Sequence, residues 1–343
     1  MSEYSILRSK PFVIPDWAKQ SINLADPRLG AKATDCSDDF FAAKERMLNP
    51  DPAIFIIGKY DDHGKWMDGW ESRRRRIPGN DWCIIQLAAP GKIQGVHIDT
   101  SFFTGNFPTS ASLDGCVVGM DPKSPDSWIN LFEKQNLNSD SHHFFRIPED
   151  KSQLGISYLR LNIFPDGGIA RFRVFGKPIG KNICDENGYL ELTSALNGAY
   201  GVAWNDAHFG VVSNMLLPGR GINMGEGWET RRRREPGNDW CVIALAQTSK
   251  PLRCELDTAH FKGNYPDRFS LQGANLKGDI DQSVDQSEKW DFLLPEQKLN
   301  MDQQHFYQDE LLDIGPITHV RLNLYPDGGV SRIRLWGEVE KND

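Results

Sequence analysis

Short apolar segments separated by turn residues run along most of the chain. Residues 81–87 and 93–99 are two such segments, and Ala89, Pro90 and Gly91 between them predict a turn. The sequence Pro-Asp-Gly-Gly at 165–168, between two further apolar segments, predicts a strand, a tight turn and a strand. Helical periodicity is rare, with its best match at residues 38–48. The pattern therefore predicts an all-β protein built as a β-sandwich.

The chain contains an internal duplication. Residues 69–83 recur as residues 227–241 with thirteen of fifteen identities, at an offset of 158. Residues 160–176 recur as 321–337 with ten of seventeen identities, at an offset of 161. Upstream, Asp38 and Pro50 match Asp206 and Pro218 at an offset of 168, so the first copy carries ten extra residues before its Trp70. Each copy has the length of an ordinary domain rather than of a solenoid repeat.

We expect two tandem domains, residues 20–178 and residues 189–340, joined through a polar segment that carries Pro, Gly and Asn. The order of apolar segments is shared by both copies. It resembles that of the discoidin or galactose-binding-like jelly rolls, whose domains close on a segment such as Arg171–Gly176. The expected fold is therefore all-β, a tandem duplicated jelly-roll β-sandwich.

Composition narrows the functional classes. The net charge is −8, which argues against a general role on nucleic acid or acidic membranes despite the local arginine runs. Residues 1–20 lack the apolar core of a signal peptide, and the longest apolar run is far too short to cross a membrane. The six cysteines are scattered, without the paired spacing of zinc or redox sites. These features predict a cytoplasmic protein.

The arginine runs at 73–76 and 231–234 are the most prominent polar feature. In extended geometry alternate residues share a side, so Arg73 and its counterpart Arg231 would point the same way as Arg75 and Arg233. A guanidinium group suits a carboxylate ligand through paired hydrogen bonds. The alternative is structural pairing with acidic residues of the protein itself, and the sequence leaves both open.

Two further sets of residues are candidates for a functional site. Asp99 and Asp257 end apolar segments and are followed by loops that contain Gly-Asn, with Asn264 in the second copy. These residues contact a ligand or cap the turn. His208 and His260 occur only in the second copy, where the first has phenylalanine. Imidazole exchanges protons near neutral pH and phenyl does not, so we expect the working site to use the loops of the second copy.

In combination these motifs resemble the allantoicase family. The resemblance rests on residues 68–74, on their variant at 226–232, on the Asp-Thr and Gly-Asn loops, on the Pro-Asp-Gly-Gly segments and on residues 216–221. It covers nearly the whole chain and implies hydrolysis of allantoate to (S)-ureidoglycolate and urea in allantoin degradation. It also implies a homo-oligomer, with a hexamer as the family's expected state, and a divalent metal such as manganese in bacterial members. No metal site is evident in the sequence.

The implied reaction needs a carboxylate clamp, a general acid and a base for water. We expect Arg231 or Arg233 as the clamp, Glu229 or Asp257 as the base, and His260 as an acid or a metal ligand. The other site residues expected are His208 and Asn264 and the first-copy counterparts Glu71, Arg73 and Asp99. Two alternatives remain open at this stage: a non-catalytic discoidin-like module that binds a small ligand, and a structural scaffold.

Overall fold

The computed structural model describes residues 5–180, 182–277 and 280–339. The chain divides into two compact units after Gly180. The strands of the first unit are β1 (Ile6–Arg8), β2 (Ile22–Asn23), β3 (Lys32–Cys36), β4 (Ile54–Ile56), β5 (Tyr60–Asp61), β6 (Gly64–Lys65), β7 (Trp70–Glu71), β8 (Asp81–Asp99), β9 (Ser110–Val117), β10 (Trp128–Asn136), β11 (His142–Arg146), β12 (Gly155–Phe164), β13 (Gly168–Ile169) and β14 (Arg171–Pro178). Its helical segments are α1 (Asp16–Lys19), α2 (Glu149–Ser152) and the 3-10 turns Pro27–Leu29, Lys44–Leu48 and Pro125–Ser127.

Within its described residues, the second unit repeats this order without counterparts of β1, β4, β5 and β6. Its strands are β15 (Leu190–Glu191), β16 (Tyr200–Trp204), β17 (Phe209–Gly210), β18 (Trp228–Glu229), β19 (Asp239–Asp257), β20 (Arg268–Ala274), β21 (Asp291–Lys298), β22 (Gln304–Tyr307), β23 (Ile317–Tyr325), β24 (Gly329–Val330) and β25 (Arg332–Val339). Its helical segments are α3 (Ile280–Asp285) and the 3-10 turns Ala195–Asn197, Val212–Leu216, Met224–Glu226 and Ser287–Lys289. The all-β jelly-roll sandwich predicted from the sequence is confirmed.

One long strand belongs to both sheets of each unit. The first half of β8 pairs with β3 and β12, and its second half pairs with β11 and β14. Strands β9 and β10 extend the first sheet, and β2 extends the second. In the second unit β19 is placed in the same way, between β16 and β23 and then between β22 and β25. Residues Cys83, Ile85, Val96 and Ile98 of β8 are fully buried in the core.

The turn predicted at residues 89–91 is wrong, because β8 continues through it. No β12 residue pairs with residues 87–90, so Pro90 lies in a bulge where β8 passes from one partner strand to the next. A proline lacks the N–H that a regular ladder needs, and a bulge is where a strand tolerates it. The apolar residues on both sides therefore form one strand rather than a hairpin.

The hairpin predicted around Pro-Asp-Gly-Gly is also wrong. Strands β12 and β14 flank it but pair with different halves of β8. Between them β13 pairs with β7, which holds Glu71 opposite Gly168. A Cβ on Gly168 would lie 1.9 Å from the ring of Phe103, so only glycine lets the two segments meet here. The segment is a loop that reaches towards Glu71.

The helix predicted over residues 38–48 is reduced to the 3-10 turn Lys44–Leu48. Ahead of this turn the backbone N–H groups of Phe41 and Ala42 donate to the carbonyl of Glu71. That pairing uses the donors in a bridge to β7, so the chain cannot also form a helix there. The apolar positions that suggested a helix include Ala42, Met47 and Leu48, which are buried in the core.

Candidate active site

A cleft of about 520 Å³ opens at one end of the second unit. Four residues expected at the site from the sequence line it, namely His208, Glu229, Arg231 and Asn264. The sequence analysis did not assign the other lining residues, which include Phe209, Arg232, Tyr265, Asp267 and Asp327. The arginine run and the Asp-Gly-Gly loop contain two of these, but neither pattern shows which of its side chains faces a cleft.

A small three-stranded sheet positions Glu229, one of the acidic residues that line the cleft. Strand β18 carries Glu229 and lies between β17 and β24. The indole N–H of the fully buried Trp228 donates to the carbonyl of Asp206 at 2.9 Å, which fixes β18 against the loop before β17. The backbone N–H of Gly329 donates to the carbonyl of Asn264 at 2.8 Å. Three separate loops are thereby joined around Glu229.

Glu229 itself is oriented by one strong hydrogen bond. The amide Nδ2 of Asn264 donates to Oε1 of Glu229 at 2.5 Å. The first unit repeats this contact between Asn106 and Glu71 at 2.6 Å. Burial raises the pKa of Glu71, and the hydrogen bond from Asn106 opposes part of that rise. The Glu–Asn pair is thus a property of both copies.

The arginines of the second run have different partners. The guanidinium of Arg233 donates to the buried Asp239 at 2.8 Å, and Arg75 of the first unit binds Asp81 in the same way. These contacts are structural pairings of the kind the sequence left open. Arg231 is exposed and contacts Glu235 at 3.0 Å, while Arg73 contacts Asp38.

Arg232 differs from its neighbours. Its side chain is exposed and lines the cleft. Within residues 5–180, 182–277 and 280–339, its guanidinium forms neither a hydrogen bond nor an ion pair with another residue. The run is not a strand, so the alternation expected of an extended chain does not decide which arginines share a side. Arg232 therefore offers the cleft an unpaired guanidinium group.

Asp257 and His260 are not among the residues that line the cleft. Both oxygens of the fully buried Asp257 accept hydrogen bonds from Arg220, at 2.8 and 3.0 Å. Nε2 of His260 lies 2.7 Å from the carbonyl oxygen of Gly221, and the backbone of His260 has a φ of 71°. Their place at the C-terminal end of β19 and in the loop after it brings them to a neighbouring loop, Arg220–Gly221, instead.

His208 is exposed and its ring packs edge-on against Phe209. Its backbone N–H donates to the carbonyl of Glu229 at 3.1 Å, which places the imidazole beside the carboxylate strand. In the first unit Phe40 stands at the equivalent position and stacks on His63, with ring centroids 4.6 Å apart. His63 comes from the ten extra residues of the first copy, and the sequence comparison did not connect it with this position.

The resemblance implied a divalent metal, and one group of side chains in the described residues has fitting donors. His97, Asp99 and His142 of the first unit each offer a ligand atom, all within 4.8 Å of one another. Burial, with the nearby Arg173, keeps the pKa of His97 well below its ordinary value, so this ring is neutral. Two imidazoles and a carboxylate suit manganese, iron or zinc. Among the described residues, those that line the cleft form no such group.

The helices that the structure describes are all too short or too polar to span a membrane. The six cysteines are free thiols, and four of them are buried.

Comparison with known proteins identifies the family. A sequence model described as the allantoicase repeat matches residues 22–179 and again residues 190–340. The chain is 55% identical to "Probable allantoicase 1" of Burkholderia mallei over 95% of its own length and 97% of the relative's. It is also 55% identical to "Probable allantoicase" of Ralstonia nicotianae, with the same coverage. The crystal structure of allantoicase from Saccharomyces cerevisiae superposes with a TM-score of 0.77, at 32% identity and 93% coverage of each chain. This chain belongs to the allantoicase family.

Proposed function

We propose that the chain hydrolyses allantoate to (S)-ureidoglycolate and urea in the cleft of the second unit. The observation that carries this proposal is the meeting of an oriented carboxylate, an exposed imidazole and an unpaired guanidinium in one cleft of an allantoicase-family protein. A module that only binds a ligand needs no titratable acid and base side by side. A scaffold would need no open cleft at all.

The reaction sets three requirements. The central carbon of allantoate carries a carboxylate and two ureido groups, and release of urea breaks the bond between that carbon and one ureido nitrogen. The departing nitrogen must receive a proton, and water must lose one as it adds to the carbon. The carboxylate must also be held so that the reacting bond faces the acid and the base.

Arg232 meets the last of these requirements, as the carboxylate clamp. Arg231 is engaged by Glu235 and Arg233 by Asp239, whereas Arg232 has its guanidinium free to form two parallel hydrogen bonds with a carboxylate. Arg231 lies beside it at the edge of the cleft and adds positive charge. A protein of net charge −8 binds an anion through such a local group rather than through its overall field.

Glu229 is the base in this proposal. The amide of Asn264 holds Oε1, which leaves Oε2 in position to accept a proton from the attacking water. Asp257, the other candidate from the sequence, is buried, and both of its oxygens accept hydrogen bonds from Arg220. A carboxylate committed in this way is a poor proton acceptor.

His208 is the acid that protonates the departing urea. It lies next to Glu229 along the rim of the cleft, and its ring is exposed. His260 contacts the carbonyl of Gly221 instead, so we assign it to holding the Arg220–Gly221 loop and not to the reaction. The acid therefore comes from the residue directly before β17 and the base from the adjacent strand β18, and the backbone hydrogen bond from His208 to Glu229 holds the two residues together.

For location and assembly, we propose that the protein is cytoplasmic and that it forms a homo-oligomer, with a hexamer as the expected state. Free thiols without disulfides are typical of a reducing compartment. The purified protein should then have a mass in solution that is a multiple of the 38.8 kDa chain. Light scattering that shows a single chain would contradict the assembly proposal.

The first test is turnover. Purified protein incubated with allantoate should release urea and leave ureidoglycolate, and it should release no urea from arginine, whose guanidinium carbon is a different electrophile. Urea and the remaining acid are measured separately. Absence of urea release from allantoate, with or without added Mn²⁺, would refute the proposed function.

The second test addresses the clamp. Arg232→Ala should raise KM for allantoate about 10- to 100-fold with a smaller effect on kcat, as expected for the loss of charge-assisted hydrogen bonds. Arg234→Ala is the matched control, because Arg234 is exposed in the same run but does not line the cleft. Equal KM values for the two variants would exclude Arg232 as the clamp.

The third test addresses the acid. His208→Phe should lower kcat by about 10²- to 10⁴-fold, the usual effect of losing a positioned acid or base. Phe40→His makes the reverse change at the equivalent position of the first unit and should leave turnover nearly unchanged. The oligomer mass of both variants is measured alongside kcat. A folded His208→Phe enzyme with normal turnover would show that another group protonates urea.

A further inference from the structure

A buried histidine cluster in the first unit lies outside the cleft and has no role in the proposed reaction. His97 and Asp99 are two residues apart on β8, so their side chains project to the same face of the sheet. His142, on the neighbouring strand β11, is the direct cross-strand partner of Asp99. Three polar side chains thus converge from two rigid strands.

Two of the three pairs of ligand atoms have the spacing of a metal site. Nε2 of His97 lies 3.0 Å from Nδ1 of His142, and that Nδ1 lies 3.5 Å from Oδ1 of Asp99. A transition metal with bonds of ~2.1 Å separates adjacent ligands by about 3.0 Å in octahedral geometry and about 3.4 Å in tetrahedral geometry. Nε2–H of His142 donates to the carbonyl of Lys10 at 2.9 Å, so its Nδ1 lone pair faces the centre of the cluster.

In the second unit, different residues occupy the positions equivalent to this histidine cluster. Its equivalent residues are Glu255, Asp257 and Gln304, and the guanidinium of Arg220 neutralises Asp257. By the offset of 168 that relates these segments, Pro52 stands where the second unit has Arg220. The first unit therefore lacks the Arg220 cation and has two imidazoles beside the equivalent carboxylate, with Arg173 on the far side of His97.

We propose that His97, Asp99 and His142 bind one divalent transition-metal ion in a structural site of the first unit. Phe12 packs on both imidazoles, at 4.7 and 4.8 Å, and Phe144 stacks on His97 at 4.4 Å. Three protein ligands leave the ion at least one further position, and these rings close that position to substrates. The bound ion would hold the segment around Lys10 and Phe12 on the sheet.

Ion binding competes with a hydrogen-bond chain that already links the cluster. Nη1 of Arg173 donates to Nδ1 of His97 at 3.4 Å, so the single proton of this neutral ring is on Nε2. Nε2–H of His97 then donates to Nδ1 of His142. To bind the ion through Nε2, His97 shifts this proton to Nδ1 and no net proton is released. Arg173 then turns fully to the carbonyl of Pro50, to which its Nη2 already donates at 3.2 Å.

The experiment uses the full-length protein as purified. Elemental analysis should find about one equivalent of a transition metal per chain. Chelation should remove it and lower the melting temperature, and Zn²⁺ or Mn²⁺ alone should restore it, a change on the order of 5 °C. The variants His97→Gln and His142→Gln should lose the metal and the response to added ions. Glu255→Gln, at the equivalent position of the second unit, should keep both.

The outcomes separate this proposal from the catalytic one. A protein that holds no metal and shows no change in melting temperature with either ion would overturn it, as would a metal that stays bound in the His97→Gln, His142→Gln double variant. Urea release measured below the melting temperature should persist after chelation, because the site is closed. Turnover lost together with the metal, in protein that remains folded, would refute the structural role.

Discussion

Each unit depends on one long strand that is shared by its two sheets. Strand β19 begins at the buried Asp239 and ends at the buried Asp257. A buried carboxylate is costly unless a cation meets it, so Arg233 is drawn to the first and Arg220 to the second. The Arg233 contact fixes the arginine run at the start of the strand and leaves Arg232 on the cleft side. The geometry of the proposed site follows from where these charges had to be neutralised.

The duplication provides an internal comparison within one chain. Both units keep the Glu–Asn pair and the Arg–Asp pair at the start of the long strand, at nearly equal distances. They differ in side chains placed on this common frame: Phe40 against His208, and Pro52 against Arg220. Because the backbone positions are preserved, each difference changes chemistry without changing the fold.

The duplication, the sandwich and the family were all predictable, because identity at constant offset and alternating apolar segments survive in a single sequence. Strand partners were not, so a continuous strand through Pro90 was read as a hairpin. For the same reason the sequence could not show which of the expected site residues lie together. The cleft is lined by His208, Glu229, Arg231 and Asn264, whereas Asp257 and His260 do not line it. Arg232 was missed because the alternation rule holds only for a strand, and the arginine run is a loop.

The pairing of charges also explains how an acidic protein could hold an anionic substrate. Around the cleft, Glu235 is engaged by Arg231 and Asp239 by Arg233, and such close pairs project little field beyond a Debye length of about 8 Å. An approaching carboxylate therefore meets the local guanidinium of Arg232 more than the net charge of the chain. Glu229 would repel it, but the amide of Asn264 draws part of that charge to one oxygen. In the proposed reaction the substrate carboxylate is thus directed to the arginine side of the cleft, with its reacting carbon turned towards Glu229.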